Sequence, residues 1–178
     1  MSLWIEKYDA TGHCQFGFKR RSSTLDAVFT LETVARLFTM KKKTPLFSLM
    51  IDLKKAFPSV NRVKLIESLF SIGVPNRLCH AFASIFGNNS SHLHIDNSLS
   101  VSFPVNRGCR EGSILSPDLF NLVYGKALNE CKIFELPENE SDFSLDRIYY
   151  MVFADDLVLF GGDLKLLELK ANKLSVTL

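Results

Sequence analysis

At 178 residues, 47% of them hydrophobic, the chain has the size of a single domain and enough apolar side chains to bury a core, which excludes a disordered tail and a membrane-embedded profile. A net charge of +2 is too small to attract nucleic acid by itself. Local charge therefore matters more: Lys19-Arg20-Arg21 and Lys41-Lys42-Lys43 are basic, and Glu135 to Asp146 is acidic.

Cys14, Cys79, Cys109 and Cys131 are scattered, with no C-x-x-C pair. That spacing argues against a zinc knuckle or a disulfide framework and for a reducing, intracellular setting. His92 and His94 share a strand face, but no further Cys or His stands near them, so no metal site is expected there. Met1 to Ala10 lacks the apolar core of a signal peptide, and no apolar run approaches the roughly 18 residues of a membrane span.

In chain order, the first twenty residues, with Gly12 and Gly17, read as loop. Ser23-Thr24-Leu25-Asp26 forms a capping-box pattern ahead of Ala27, Leu31, Val34 and Phe38 at helical spacing. That helix is expected to end in the lysine cluster, where cations suit the negative end of its dipole, and Pro45 stops it. Leu46 to Ile51 is nearly continuous in apolar residues and reads as a buried central strand with Asp52 at its end. Asn61 caps a helix whose apolar face is Val63, Ile66, Leu69 and Phe70, closed by Gly73 and Pro75. Asn76 opens a second helix to about Phe86, with Gly87 as its cap. Leu93 and Ile95, then Leu99, Val101, Phe103 and Val105, alternate about Asp96-Asn97-Ser98, a hairpin with one wet face.

The loop Asn106 to Ser116 holds two glycines. Ser116-Pro117-Asp118 begins a helix to about Lys132, carrying Leu119, Leu122, Val123 and Leu128. Glu135 to Asp146 reads as a solvated acidic loop. Tyr149 to Gly161 then places Asp155-Asp156 between two β-rich runs, a tight hairpin, and Asp163 caps a last helix with Leu164, Leu167 and Leu174.

An Asp-Asp pair in a turn has an ordinary reading, since Asp favours turns. It has a chemical one as well, because adjacent carboxylates repel unless a cation offsets them. Hard divalent cations take oxygen ligands, usually one or two carboxylates plus substrate phosphates. The order strand, helices, hairpin, helix, strand-turn-strand, helix suggests an α+β fold, an antiparallel sheet with helices on one face. Pairing the Leu46–Ile51 strand with the hairpin would bring Asp52 toward Asp155 and Asp156. Two metal ions roughly 3.5–4 Å apart in such a site support in-line phosphoryl chemistry.

Asp52-Leu53-Lys54-Lys55-Ala56-Phe57, Gly112-Ser113-Ile114-Leu115-Ser116-Pro117-Asp118-Leu119-Phe120-Asn121 and Phe153-Ala154-Asp155-Asp156 resemble three consecutive motifs of reverse transcriptases, in the family's order. The likeness is greatest to non-LTR (LINE-type) retrotransposons. Gln15-Phe16-Gly17-Phe18, followed by Ser23-Thr24 and Asp26, resembles that group's upstream Gln-x-Gly-Phe signature. Similarity runs from about Gln15 to Gly161.

The resemblance implies a polymerase palm, a ferredoxin-like antiparallel sheet with helices on one face, with a remnant of fingers and no thumb. Residues 1–44 would be the fingers remnant and 45–178 the palm core with inserted helices and hairpin, all one partial domain. It implies RNA-directed DNA synthesis, with Asp52, Asp155 and Asp156 as catalytic metal ligands for two Mg²⁺ ions, or Mn²⁺ in their place. Leu53, Phe57 and Gly112 would meet the nucleotide, with Phe57 crowding the sugar 2′ position; core packing is the other reading of that ring. Arg107, Arg110 and Glu111 would lie along nucleic acid. The implied partners are an RNA template, a DNA primer and deoxynucleoside triphosphates, in the cytoplasm and nucleus, with no membrane.

Two positions depart from the family pattern. Glu111 stands where the family usually has Gln, which sets a charge near anionic substrates, and Phe153 stands where Tyr is usual. A palm without a thumb is expected to be marginally stable or to self-associate through exposed apolar faces, such as those of the Ser23–Met40 and final helices. Two other readings stay open: a silent palm fragment that binds nucleic acid or protein, and a nucleotidyl cyclase, which shares the palm shape but would lack the Ser-Pro-x-Leu-Phe helix.

Overall fold

The structure is a computed structural model that describes residues 14–130 and 149–177. The helices are α1 (Thr24–Arg36), α2 (Ala56–Ser59), α3 (Arg62–Ser71), α4 (Asn76–Phe86), α5 (Ser116–Glu130) and α6 (Leu164–Thr177). The strands are β1 (Phe47–Ile51), β2 (Ser90–Ser91), β3 (His94–Ile95), β4 (Ser98–Leu99), β5 (Phe103–Pro104), β6 (Tyr150–Phe153) and β7 (Asp156–Gly161). The acidic stretch Glu135 to Asp146 and the end expected near Lys132 for α5 lie outside the described residues. The chain forms two compact units, residues 55–123 in one and the remaining described residues in the other.

The second unit is built on an antiparallel sheet in the order β1-β7-β6. Among the described residues β1 pairs only with β7. It is therefore an edge strand, not the buried central strand expected from its apolar run. One face of β1 is open, with Ser48 exposed and Met50 75% exposed. The central place belongs to β7, whose Leu157, Leu159 and Phe160 are almost wholly buried and fall on both sheet faces. Each such side chain contributes roughly 1.5–3 kcal/mol by leaving water. Both apolar runs fit a central strand; only the one flanked on each side occupies it.

Helix α1 begins as its sequence requires. The Ser23 Oγ accepts from the Asp26 N–H, while the Asp26 carboxylate accepts from the Ser23 N–H. Val34 and Phe38 are buried, and Leu25, Val28 and Phe29 are exposed. The last turn widens into a π-helical stretch, Leu37–Lys42, that ends at Lys43 with φ +51°. In α6, Leu167 and Leu174 are buried as expected and Leu164 is exposed. Asp163 Oδ1 accepts from the Lys165 N–H.

In the unit of residues 55–123, α3 and α4 pack together, and Leu65, Leu69, Val74 and Cys79 are buried. Asn61 caps α3 and Gly73, with φ +77°, closes it. The buried face of α3 is Leu65, Ser68 and Leu69; Val63 and Phe70, expected on it, are exposed. The β3–β4 hairpin turns through Asp96 and Asn97, both at positive φ, a primed turn whose twist matches its strands. Neither face of it is covered among the described residues, since Leu93, Ile95, Leu99 and Val101 are all exposed. Ser116, expected to cap α5, is its first residue, and its hydroxyl donates to the Arg110 carbonyl at 2.6 Å.

Candidate active site

The register Phe153↔Asp156 leaves Ala154 and Asp155 as the two residues of the β6–β7 turn. The turn pair is thus Ala-Asp, not Asp-Asp, and Asp156 begins β7. Ala154 has φ +59° and Asp155 does not share the positive sign. A positive φ at the first turn position matches a II′ hairpin, where glycine is usual. An alanine there holds about 1–3 kcal/mol of strain, so neighbouring structure must hold it.

That support comes from residues 14–17. Val152 donates its N–H to the Cys14 carbonyl at 2.9 Å, and Phe16 donates to the Val152 carbonyl at 2.8 Å. One step further along, the Gln15 side chain, 5% exposed, takes over the pairing. Its Oε1 accepts from the Ala154 N–H at 3.1 Å and the Gly17 N–H at 2.8 Å, and its Nε2 donates to the Ala154 carbonyl at 3.1 Å. Gly17 must lack a side chain for a related reason: a Cβ there would sit 2.1 Å from the Ala154 nitrogen.

Asp52 reaches the same place through β1. Its last paired residue, Ile51, lies opposite Leu157, so the next position along carries Asp52 beside Asp156, with Asp155 at the turn beyond. Asp52 and Asp156 are exposed and Asp155 is half-buried. Among the described residues, no three Asp, Glu, His or Cys side chains are grouped closely enough to make a complete metal cage. The donor chemistry nonetheless fits Mg²⁺, which is usually held by one or two carboxylates together with waters and substrate phosphates. Leu53, half-buried, follows Asp52 directly.

In the unit of residues 55–123, Phe57 stacks on Phe120 with ring centroids 4.9 Å apart. The packing reading of that ring is therefore realised in part, while the side chain keeps some exposure. Gly112 has φ +78°, and a Cβ on it would meet nothing within 4 Å. Its glycine serves the backbone conformation, and the space above it is open. Arg110 and Glu111 are exposed and, with Arg107, Arg62, Phe86 and Leu119, help line a cavity of about 510 Å³.

Arg62 was not singled out from the sequence, yet it ties this loop together. Its Nε donates to the Gly108 carbonyl at 3.0 Å, and its Nη1 donates to the carbonyls of Phe86 at 2.8 Å and Val105 at 2.6 Å. A usable signal existed: a cation at the first position of a helix opposes the dipole, which implies another task for it. Beside it, burial pushes the Cys109 thiol up to about 11, against a smaller opposing pull from the Arg62 charge.

Over residues 2–178 the chain matches the family described as reverse transcriptase (RNA-dependent DNA polymerase). The chain belongs to the reverse transcriptase family. The match extends on both sides of the motif-bearing stretch, Gln15 to Gly161, over which the resemblance was expected to run.

Among curated relatives, the Pol polyprotein of the type-1 retrotransposable element R2 from Nasonia vitripennis is 32% identical over 65% of this chain and 11% of its own length. The R2 polyprotein from Popillia japonica is 25% identical over 82% of this chain and 20% of its own. That of the type-2 element R2DM from Drosophila melanogaster is 32% identical over 62% of this chain and 10% of its own. These relatives bear out the kinship with non-LTR retrotransposons. The chain spans between about a tenth and a fifth of their lengths.

Among the solved structures that share the fold are two telomerases. Apo telomerase from Candida tropicalis, truncated from its C-terminal domain, superposes with a TM-score of 0.68 at 15% identity, over 98% of this chain and 34% of that one. Telomerase from Candida albicans, in complex with a TWJ fragment of telomeric RNA, gives 0.61 at 14% identity, over 98% of this chain and 31% of that one. The reverse transcriptase α+β fold of palm and fingers is common to all three.

Proposed function

We propose that this reverse transcriptase chain carries the carboxylates for RNA-directed DNA synthesis, the addition of deoxynucleotides to a primer 3′-OH along an RNA template. The observation that supports it best is the β1–β7 register, which brings Asp52 beside Asp156 and the Asp155 turn from a distant part of the sequence. Asp52 and Asp155 would be the principal metal ligands and Asp156 the adjacent carboxylate. Two Mg²⁺ ions, or Mn²⁺, would activate the attacking hydroxyl and stabilise the pyrophosphate leaving group. The exposure of Asp52 and Asp156 leaves them open to a triphosphate that completes the coordination.

The motif resemblance assigns Leu53, Phe57 and Gly112 to the nucleotide and Arg107, Arg110 and Glu111 to nucleic acid. The open space over Gly112 favours its assignment. Arginines are suited to phosphate by their planar donors. A second reading, binding of nucleic acid or protein without synthesis, is favoured by Glu111, an exposed carboxylate where the family pattern has an amide.

The deciding experiment is primer extension on an RNA template with Mg²⁺ or Mn²⁺, wild type beside Asp155→Asn. Extension by the wild type that disappears in the folded variant supports synthesis. Extension equal in both rules out Asp155 as a ligand, and none in either leaves the binding reading.

A further inference from the structure

We propose that Gln15 is a positioning residue for the Asp155 carboxylate, acting through the peptide of Ala154. The inference rests on the reading of Asp155 as a metal ligand. A two-residue turn has no cross-strand partner for the outward N–H and C=O of its first residue, and here that residue also sits at φ +59°. The primary amide of Gln15 supplies a donor and an acceptor at the spacing of a peptide and engages both Ala154 groups. The Ala154 N–H can only donate, so Oε1 faces it and Nε2 faces the carbonyl; the amide has one workable orientation.

The support is itself fixed. The backbone on either side of Gln15 is bonded to Val152, and Oε1 is also held by the Gly17 N–H. Gly17 approaches so closely that no side chain fits between it and Ala154. Residues 14–17 therefore add a partial fourth strand beside β6, and the Gln15 side chain extends that pairing to the turn. Asp155 follows the clamped peptide directly. Its ψ-side freedom remains, but the direction in which its Cα leaves the turn is set by Ala154. Groups that orient metal ligands without touching the metal typically change affinity or activity by about 10–100-fold when removed.

The test is Mn²⁺ binding to the 178-residue chain, followed by electron paramagnetic resonance of the free ion, for wild type, Gln15→Met, Gln15→Asn and Asp155→Asn. Gln15→Met keeps the length and loses the hydrogen bonds. We expect affinity at least about tenfold weaker, with far-UV circular dichroism unchanged. Should Gln15→Met fail to fold, Gln15→Asn answers, because it keeps a neutral amide that is one methylene too short to hold both Ala154 groups; affinity should still fall. Wild-type affinity in a folded Gln15 variant, with Asp155→Asn impaired, overturns the positioning role and leaves Asp155 as a ligand. No Mn²⁺ binding by the wild type, or binding indifferent to Asp155→Asn, overturns the ligand reading and the positioning role with it.

Discussion

Replacing Arg62 tests how the loop that carries Arg107, Arg110 and Glu111 is held. One guanidinium donates to three backbone carbonyls, at 2.6, 2.8 and 3.0 Å, from Val105, Phe86 and Gly108. It also lies over the Phe86 ring, 5.5 Å from the centroid. A hydrogen bond from a charged donor contributes about 1.5–3 kcal/mol when well buried. Arg62 is only half-buried and the three bonds share one group, so about 1 kcal/mol each is the fairer figure. Arg62→Met should therefore lose about 3 kcal/mol in urea unfolding followed by far-UV circular dichroism. Arg62→Lys should recover less than half of it, since a compact ammonium cannot reproduce a planar fork spanning three acceptors. A loss below about 0.5 kcal/mol for Met, or full recovery by Lys, would refute the role of the guanidinium as the tie.

Further outcomes follow from individual groups. Gly17→Ala should cost at least about 2 kcal/mol, because the obstructing atoms are backbone, whereas Gly112→Ala should cost about 1–2 kcal/mol, from its φ alone; urea midpoints compare them. Burial lowers the pKa of Lys170, whose Nζ sits 4.2 Å from the Tyr149 ring centroid. The unfolded chain then binds more protons between that lowered value and 10.5, so stability should rise with pH across the window, and Lys170→Met should flatten the profile. Cys109 works in the opposite sense: its raised pKa contributes stability that is full below pH 9.0 and is lost as pH climbs toward about 11. Iodoacetamide at pH 8.5 should accordingly label native Cys109 about a hundredfold more slowly than the unfolded chain, read by peptide mass spectrometry.

Local rules carried much of the fold. The Ser23 capping box, the Asn61 cap, the Gly73 closure and the Asp96-Asn97 turn each depend on a few neighbouring residues, and each appears where those residues stand. The motif residues were legible for a similar reason: Asp52 and the Asp155-Asp156 pair are conspicuous because carboxylates at strand ends invite a cation. Burial was less legible, as a helix face or an apolar run states that a side chain can be buried and not whether a neighbour arrives to bury it. Val63, Phe70 and Leu164 were expected inside and lie exposed, and β1 was expected in the centre and, among the described residues, lies at an edge.

What the sequence determined by itself was the family likeness, the motif residues that carry it and the short-range caps and turns, all set by residues close in the chain. Tertiary structure alone decided the β1–β7 register that carries Asp52 to the turn, the clamp of Gln15 on Ala154 and the reach of Arg62 to three carbonyls. Each joins groups far apart in sequence, and hydrogen-bond geometry at that range depends on where packing leaves the backbone, which no local pattern encodes.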